Sequence, residues 1–356
     1  MEKKRLIGLD VFRVLAALMI FFFHSRTGME FGYGVIQPFF RMGAIFMTGF
    51  FMMSGFCLYM SYHQKNLMKL SDMVPFYIKR FIGIMPLYYV VALLFIIFLG
   101  KETVFENIIL APMEILGLQA TMRPMFVLSH NIGTWFISCL VILYLLYPFM
   151  QEVVNQITLK AKIVLMCLAA FVLMWVAIII WKFKMEDIYT NPFFRGLEFF
   201  IGVVLASCKE ELEKMKFFRG FMQWKMFVLE FVILVAAVMF AVEKDFAVGN
   251  YMTYDIICLP IFTLMLFTLS GVESSALEKS KLLRYMSDAS YAFFLAQYFT
   301  WELSRMVMRY FNWYHNLGNI LMSLSICIVI TIILHEGVEK PLKKICMSMY
   351  NKWSKQ

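Results

Sequence analysis

The 356-residue chain is 62% hydrophobic and only 16% charged, with a mean hydropathy of +0.73, whereas soluble domains carry about 25% charged residues. That composition excludes a soluble globular domain and points to an all-α integral membrane protein. The net charge of +9 calls for no nucleic acid partner, since basic loops orient a membrane chain and attract anionic headgroups; the seven cysteines form no C-x-x-C pair, so neither a disulfide framework nor a metal site is expected.

Apolar runs near 6–24, 42–62, 79–99, 132–151, 162–181, 193–208, 224–242, 254–271, 288–311 and 317–338 approach the roughly 20 residues that span a bilayer as helix. They predict about ten transmembrane helices around a central polar cavity, within one domain over 1–345 and a cytoplasmic tail over 346–356. No small-residue cleavage site follows the first run, so it is expected to remain as a span. Residues 104–119 are apolar but interrupted by Glu106, Asn107, Pro112 and Glu114, the pattern of a surface-lying or re-entrant helix. With that segment left uncrossed, 22 of the 33 Lys and Arg fall on one side and 9 on the other. The positive-inside rule then predicts cytoplasmic amino and carboxyl ends.

In the first span, Asp10 and Arg13 are three apart and share a helix face, where they can pair. Arg13 and His24 are eleven apart, close to three full turns, so both point the same way about 16 Å apart along the axis. Charged groups at this depth mark a pore, a ligand site or a paired contact facing the bundle interior. In the second span, Ser54 and Gly55 read as a close helix contact rather than a nucleophile. Lys79 and Arg80 open the third span as cations at its inner mouth. Trp135 and Phe136 open the fourth, where interfacial aromatics are common. Arg195 and Glu198 form a second i,i+3 pair, after Pro192. The 30 methionines and 38 phenylalanines are apolar filler. His63, His130 and His315 fall in loops and His335 near the inner end of the last span, all expected to be solvated or capping. Glu339 is expected to hold a basic neighbour.

Arg13, ten intervening residues and His24, within "LDVFRVLAALMIFFFH", resemble the first-helix signature of the membrane-bound acyltransferase-3 family. The blocks "GAIFMTGFFMMSGFCLY", "KRFIGIMPLYY", "GTWFISCLVILYLLYPF", "NPFFRGLEFFIGVVLA", "SDASYAFFLAQ" and "EGVEKP" follow in the family's order and cover nearly the whole chain. Two positions depart from its pattern: Gly83 stands where the third helix has a second arginine, and Gln297 where a histidine closes its block. These bear on the shape of the donor or acceptor site, not on the class.

The resemblance implies an O-acyltransferase of the bacterial plasma membrane. It would move an acyl group, acetyl by family likeness, from cytoplasmic acyl-CoA to a hydroxyl of a cell-surface polysaccharide or lipid-linked glycan. His24 would serve as general base or transient acyl carrier and Arg13 as the cation on the donor route. Arg80, Lys79, Arg195 and Glu198 would attend acyl-CoA; Trp135 and Asp10 would attend the acceptor. With no fused extracytoplasmic domain expected, the chain would act alone or with a separate extracytoplasmic partner. The alternative from another class is a multi-pass transporter using the same intramembrane Arg, His and Glu groups as a substrate or proton pathway.

Overall fold

A computed structural model describes residues 5–29, 33–100, 103–122, 125, 129–183, 189–244, 255–313 and 316–354; His315 lies outside them. Each of the ten apolar runs is a helix. We number them α1 (Ile7–Met29), α2 (Phe46–Tyr62), α3 (Leu70–Phe98), α4 (Trp135–Gln156), α5 (Leu159–Phe183), α6 (Pro192–Lys214), α7 (Trp224–Glu243), α8 (Asp255–Gly271), α9 (Ser290–Phe311) and α10 (Asn316–Leu334). α10 runs on through a π-helical turn, His335–Glu339, into a final helix, Lys340–Trp353.

Among the described residues, seven of these, α1 to α5, α7 and α10, are long and apolar enough to cross a membrane. The other three bury polar cargo on the side that faces their neighbours. α6 buries Arg195 and Glu198, α8 buries Asp255 and Thr268, and α9 buries Gln297, Thr300 and Ser304. A helix shielded by its neighbours need not be apolar all round. By contrast, α5 and α7 bury only 22% of their most apolar windows, while the α2 span buries 83%. Lipid-facing helices therefore carry the loudest hydropathy signal, and α6, α8 and α9 carry the polar groups.

α2 and α6 pack backbone to backbone. A Cβ at Gly55 would stand 2.0 Å from the Phe199 carbonyl oxygen, and one at Gly202 would stand 1.8 Å from that of Met52, so each glycine admits the other helix and no side chain fits at either place. Gly55 thus has the packing role expected of it.

The helix Val104–Ile115 starts with a capping box between Thr103 and Glu106. Those hydrogen bonds hold the Glu106 carboxyl below its ordinary pKa. Twelve residues reach about 18 Å, short of a hydrocarbon core of about 30 Å. The helix does not cross; it exposes Val104, Phe105 and Ile108 and buries Leu110 and Glu114. His130 clamps it: Nδ1 lies 2.8 Å from Glu114 Oε2, the backbone N–H donates to Glu114 Oε1 at 3.0 Å, and Nε2 lies 2.8 Å from Asn107 Oδ1. Expected to be solvated or capping, His130 has both ring nitrogens on side-chain acceptors of this helix, Glu114 and Asn107.

The two ends of the bundle can be told apart by contact. Arg5 bonds to Asp288, at the end of the short helix Lys281–Asp288, and Lys340 sits over the Tyr285 ring of that helix, 5.3 Å from its centroid. The segments around both chain ends therefore meet on one face, here the near end. The carboxyl end of α1 and the amino ends of α2, α6 and α8 form the far end.

Candidate functional site

At the near end, Asp10 is the hub. Arg5 Nε donates to Asp10 Oδ2 at 2.5 Å and its Nη2 to Oδ1 at 3.0 Å. Ser287 Oγ donates to Asp10 Oδ1 at 2.6 Å, and Arg13 Nη1 donates to Ser287 Oγ at 3.0 Å. Arg13 Nη1 also lies 3.7 Å from Asp10 Oδ1. The i,i+3 spacing on α1 thus produces the expected pair, and Ser287 closes a triangle between its members. The hydrogen bond to Asp10 raises the Arg5 pKa further above its ordinary value. Arg13 keeps 29% of its side-chain surface exposed while Asp10 keeps 5%. A fixed cation with a free flank, oriented by a buried carboxylate, can receive an anionic or strongly polar group.

Arg13 meets α2 at Cys57, and Arg80 meets it at Tyr62, where Nη2 donates to the hydroxyl at 3.2 Å. These α2 positions are five residues apart, about 7.5 Å along the axis, so Arg13 and Arg80 serve the same end of the bundle. Lys79, adjacent on α3, is half-buried.

His24 sits in the last turns of α1 at the far end, half-buried, with the Phe23 ring edge-on to its imidazole at 5.1 Å. The segment Gly43–Thr48 connects this turn to a second ionic cluster. Gly43 packs on the Met19 carbonyl and the Phe23 side chain, the Ala44 carbonyl accepts the Tyr189 hydroxyl at 3.0 Å, and Thr48 bonds to Glu198 at 3.0 Å. Arg195 Nη1 donates to both Glu198 oxygens, at 2.7 and 2.9 Å, and its Nε to the Tyr189 carbonyl at 2.8 Å. Its guanidinium carbon lies 4.4 Å from the ring centroid of Tyr189, 5.4 Å from that of Trp135 and 5.7 Å from that of Phe51. Three ring faces and a carboxylate replace the hydration shell of this cation. Both Arg195 and Glu198 have no exposed side-chain surface.

The residues singled out from the sequence therefore fall into two groups. Asp10, Arg13, Arg80 and Lys79 belong to the near end. His24, Trp135, Arg195 and Glu198 belong to the far end, with Trp135 half-buried against the arginine. Arg195 and Glu198 are parted from Arg80 and Lys79, with which they share an expected donor role. Asp10 is likewise parted from Trp135.

Several groups have no counterpart in the sequence reading. Ser287 orients Arg13, and Thr48, Tyr189 and Asp255 complete the far cluster, with Thr48 Oγ1 3.1 Å from Asp255 Oδ1. The only sequence signal for Asp255 is an acidic residue opening an apolar run. His335, expected to be solvated or capping, is buried in the π turn, with Nδ1 2.6 Å from Glu339 Oε2. Glu339 Oε1 accepts from Lys343 at 2.6 Å, the basic neighbour expected of it.

A family model described as an acyltransferase domain matches residues 6–334. No curated protein and no solved structure matches the chain.

Proposed function

The chain belongs to the acyltransferase-3 family and is a membrane O-acyltransferase, and on that premise we propose that it transfers an acetyl group from cytoplasmic acetyl-CoA to a hydroxyl of a surface polysaccharide or lipid-linked glycan. The observation that carries this reading is the division of labour along α1. A partly exposed arginine, oriented by Asp10 and Ser287, stands at the near end. A half-buried imidazole stands on the same face about 16 Å away at the far end. With the near end cytoplasmic in the bacterial plasma membrane, as the loop charges favour, the donor enters beside Arg13 and Arg80 and the acceptor arrives beside His24 and Trp135.

In this reading Arg13 and Arg80 take the phosphate-bearing part of the donor, with Lys79 adding charge at the mouth. The thioester arm extends along α1 toward His24. His24 removes the proton from the acceptor hydroxyl as its oxygen attacks the thioester carbonyl. The tetrahedral intermediate expels the coenzyme A thiolate, which takes that proton from the imidazolium, leaving an ester, a free thiol and neutral His24. Arg195 and Glu198 contribute by holding Trp135 and Tyr189 in place at the acceptor end.

Free-thiol release from acetyl-CoA by the protein in nanodiscs, with candidate glycans supplied, tests the proposal. Glycan-dependent release in the wild type, lost in His24→Ala and Arg13→Ala, is the expected result. Release that survives intact in a folded His24→Ala variant would sink the assignment of the base.

A further inference from the structure

Thr48 bonds to both carboxyl groups of the far-end cluster, without dividing one hydrogen between them, only if one of those groups holds a proton. Thr48 Oγ1 lies 3.0 Å from Glu198 Oε1 and 3.1 Å from Asp255 Oδ1, yet a hydroxyl has a single hydrogen to donate. One carboxyl group receives that hydrogen. The other contact is a hydrogen bond only if the carboxyl brings a hydrogen of its own.

The surroundings say which group that is. Glu198 has Arg195 Nη1 on both oxygens, at 2.7 and 2.9 Å, the setting of a carboxylate. Asp255 is 1% exposed and, among the described residues, has Thr48 alone, its Oδ2 being buried with no hydrogen-bond partner there. A bare carboxylate oxygen in that setting lacks all compensation for lost water, whereas the carbonyl oxygen of a carboxylic acid bears far less charge.

We infer that Asp255 is held as the neutral acid: its hydroxyl donates to Thr48 Oγ1, Thr48 donates to Glu198, and a proton is thereby built into the far-end cluster. Every atom of Thr48 is then used. Its oxygen accepts from Asp255 and from Arg195 Nη1, the latter at 3.2 Å, which leaves the second Nη1 hydrogen shared by the two Glu198 oxygens, and its own hydrogen goes to Glu198. The charges cancel as one guanidinium and one carboxylate. Among the described residues, the other titratable groups around the cluster, the thiols of Cys139 and Cys258 and the phenol of Tyr189, carry no charge in their ordinary protonated forms. Asp255 is a positioning residue: it acts through Thr48 on the Glu198 and Arg195 pair. This inference stands apart from the identity of the group transferred or of the acceptor.

The test is infrared spectroscopy combined with thermal unfolding of the full chain in nanodiscs at neutral pH. The wild-type-minus-Asp255→Asn difference spectrum is expected to show a carboxylic-acid carbonyl band. The asparagine amide also donates to Thr48, so this variant should unfold within a few degrees of wild type. Asp255→Leu, which donates nothing, and Glu198→Gln, which removes the charge Arg195 needs, should each unfold about 5–10 °C lower. A difference spectrum without that band, or an Asp255→Asn protein that loses as much stability as Glu198→Gln or fails to fold, would overturn the inference.

Discussion

The near and far ends of the bundle each hold an arginine and a carboxylate three residues apart on one helix, and they use the pair in opposite ways. At the near end, Arg13 stands 3.7 Å from Asp10, shares Ser287 with it and keeps a free flank. At the far end, Arg195 is 2.7 Å from Glu198, with aromatic rings about it and no exposed surface. An ion pair with surface to spare can trade its partner for an incoming ligand. A sealed pair cannot, and holds its neighbours instead. The same motif thus supplies a receptor at one end and a scaffold at the other.

The contrast breaks most easily at the sealed pair. Glu198→Gln leaves a buried guanidinium without its counter-charge and is expected to cost about 3–5 kcal/mol, read from denaturant unfolding in detergent; a cost under about 1 kcal/mol would remove the scaffold role. Arg13→Ala should do the reverse. Transfer activity drops on the order of 100-fold while stability moves by no more than about 1 kcal/mol, and equal damage to both would erase the distinction. Ser287→Ala, which cuts the link between Arg13 and Asp10, should cost about 1 kcal/mol; a rise in the KM for the acyl donor without a comparable fall in kcat would identify Ser287 as an orienting group on the donor side. The smallest change is expected for Asp288→Ala: this carboxylate is half exposed, and such pairs contribute about 1 kcal/mol or less, shrinking further when stability is compared at low and high salt.

The sequence distinguishes these two pairs poorly, because spacing fixes which helix face a residue occupies and says nothing of what covers it. Helix number and order were legible from hydropathy, as was the short helix after Thr103, whose polar interruptions at Glu106 and Glu114 become a cap and a buried anchor. The pairing of Asp10 with Arg13, and of Arg195 with Glu198, followed from three-residue spacing. What stayed illegible depends on contacts between distant segments. Thr48 and Asp255 are 207 positions apart, and Arg13 and Ser287 are 274 apart. Histidines expected to be solvated or capping also pair with carboxylates: His130 with Glu114 of the short helix before it, and His335 with Glu339 one turn on.

The π turn at His335–Glu339 works as a phase shift. Winding one extra residue into a helix rotates everything beyond it by about 100° relative to an uninterrupted α-helix. The apolar stripe that α10 shows to its surroundings and the lysine-rich stripe of the final helix are therefore set on separate dials, joined by a buried carboxylate that bonds back to His335 and forward to Lys343. Removing a single residue between 335 and 339 would put both stripes back on one dial, turning Lys343 and Lys344 to another heading without altering one side chain in the final helix.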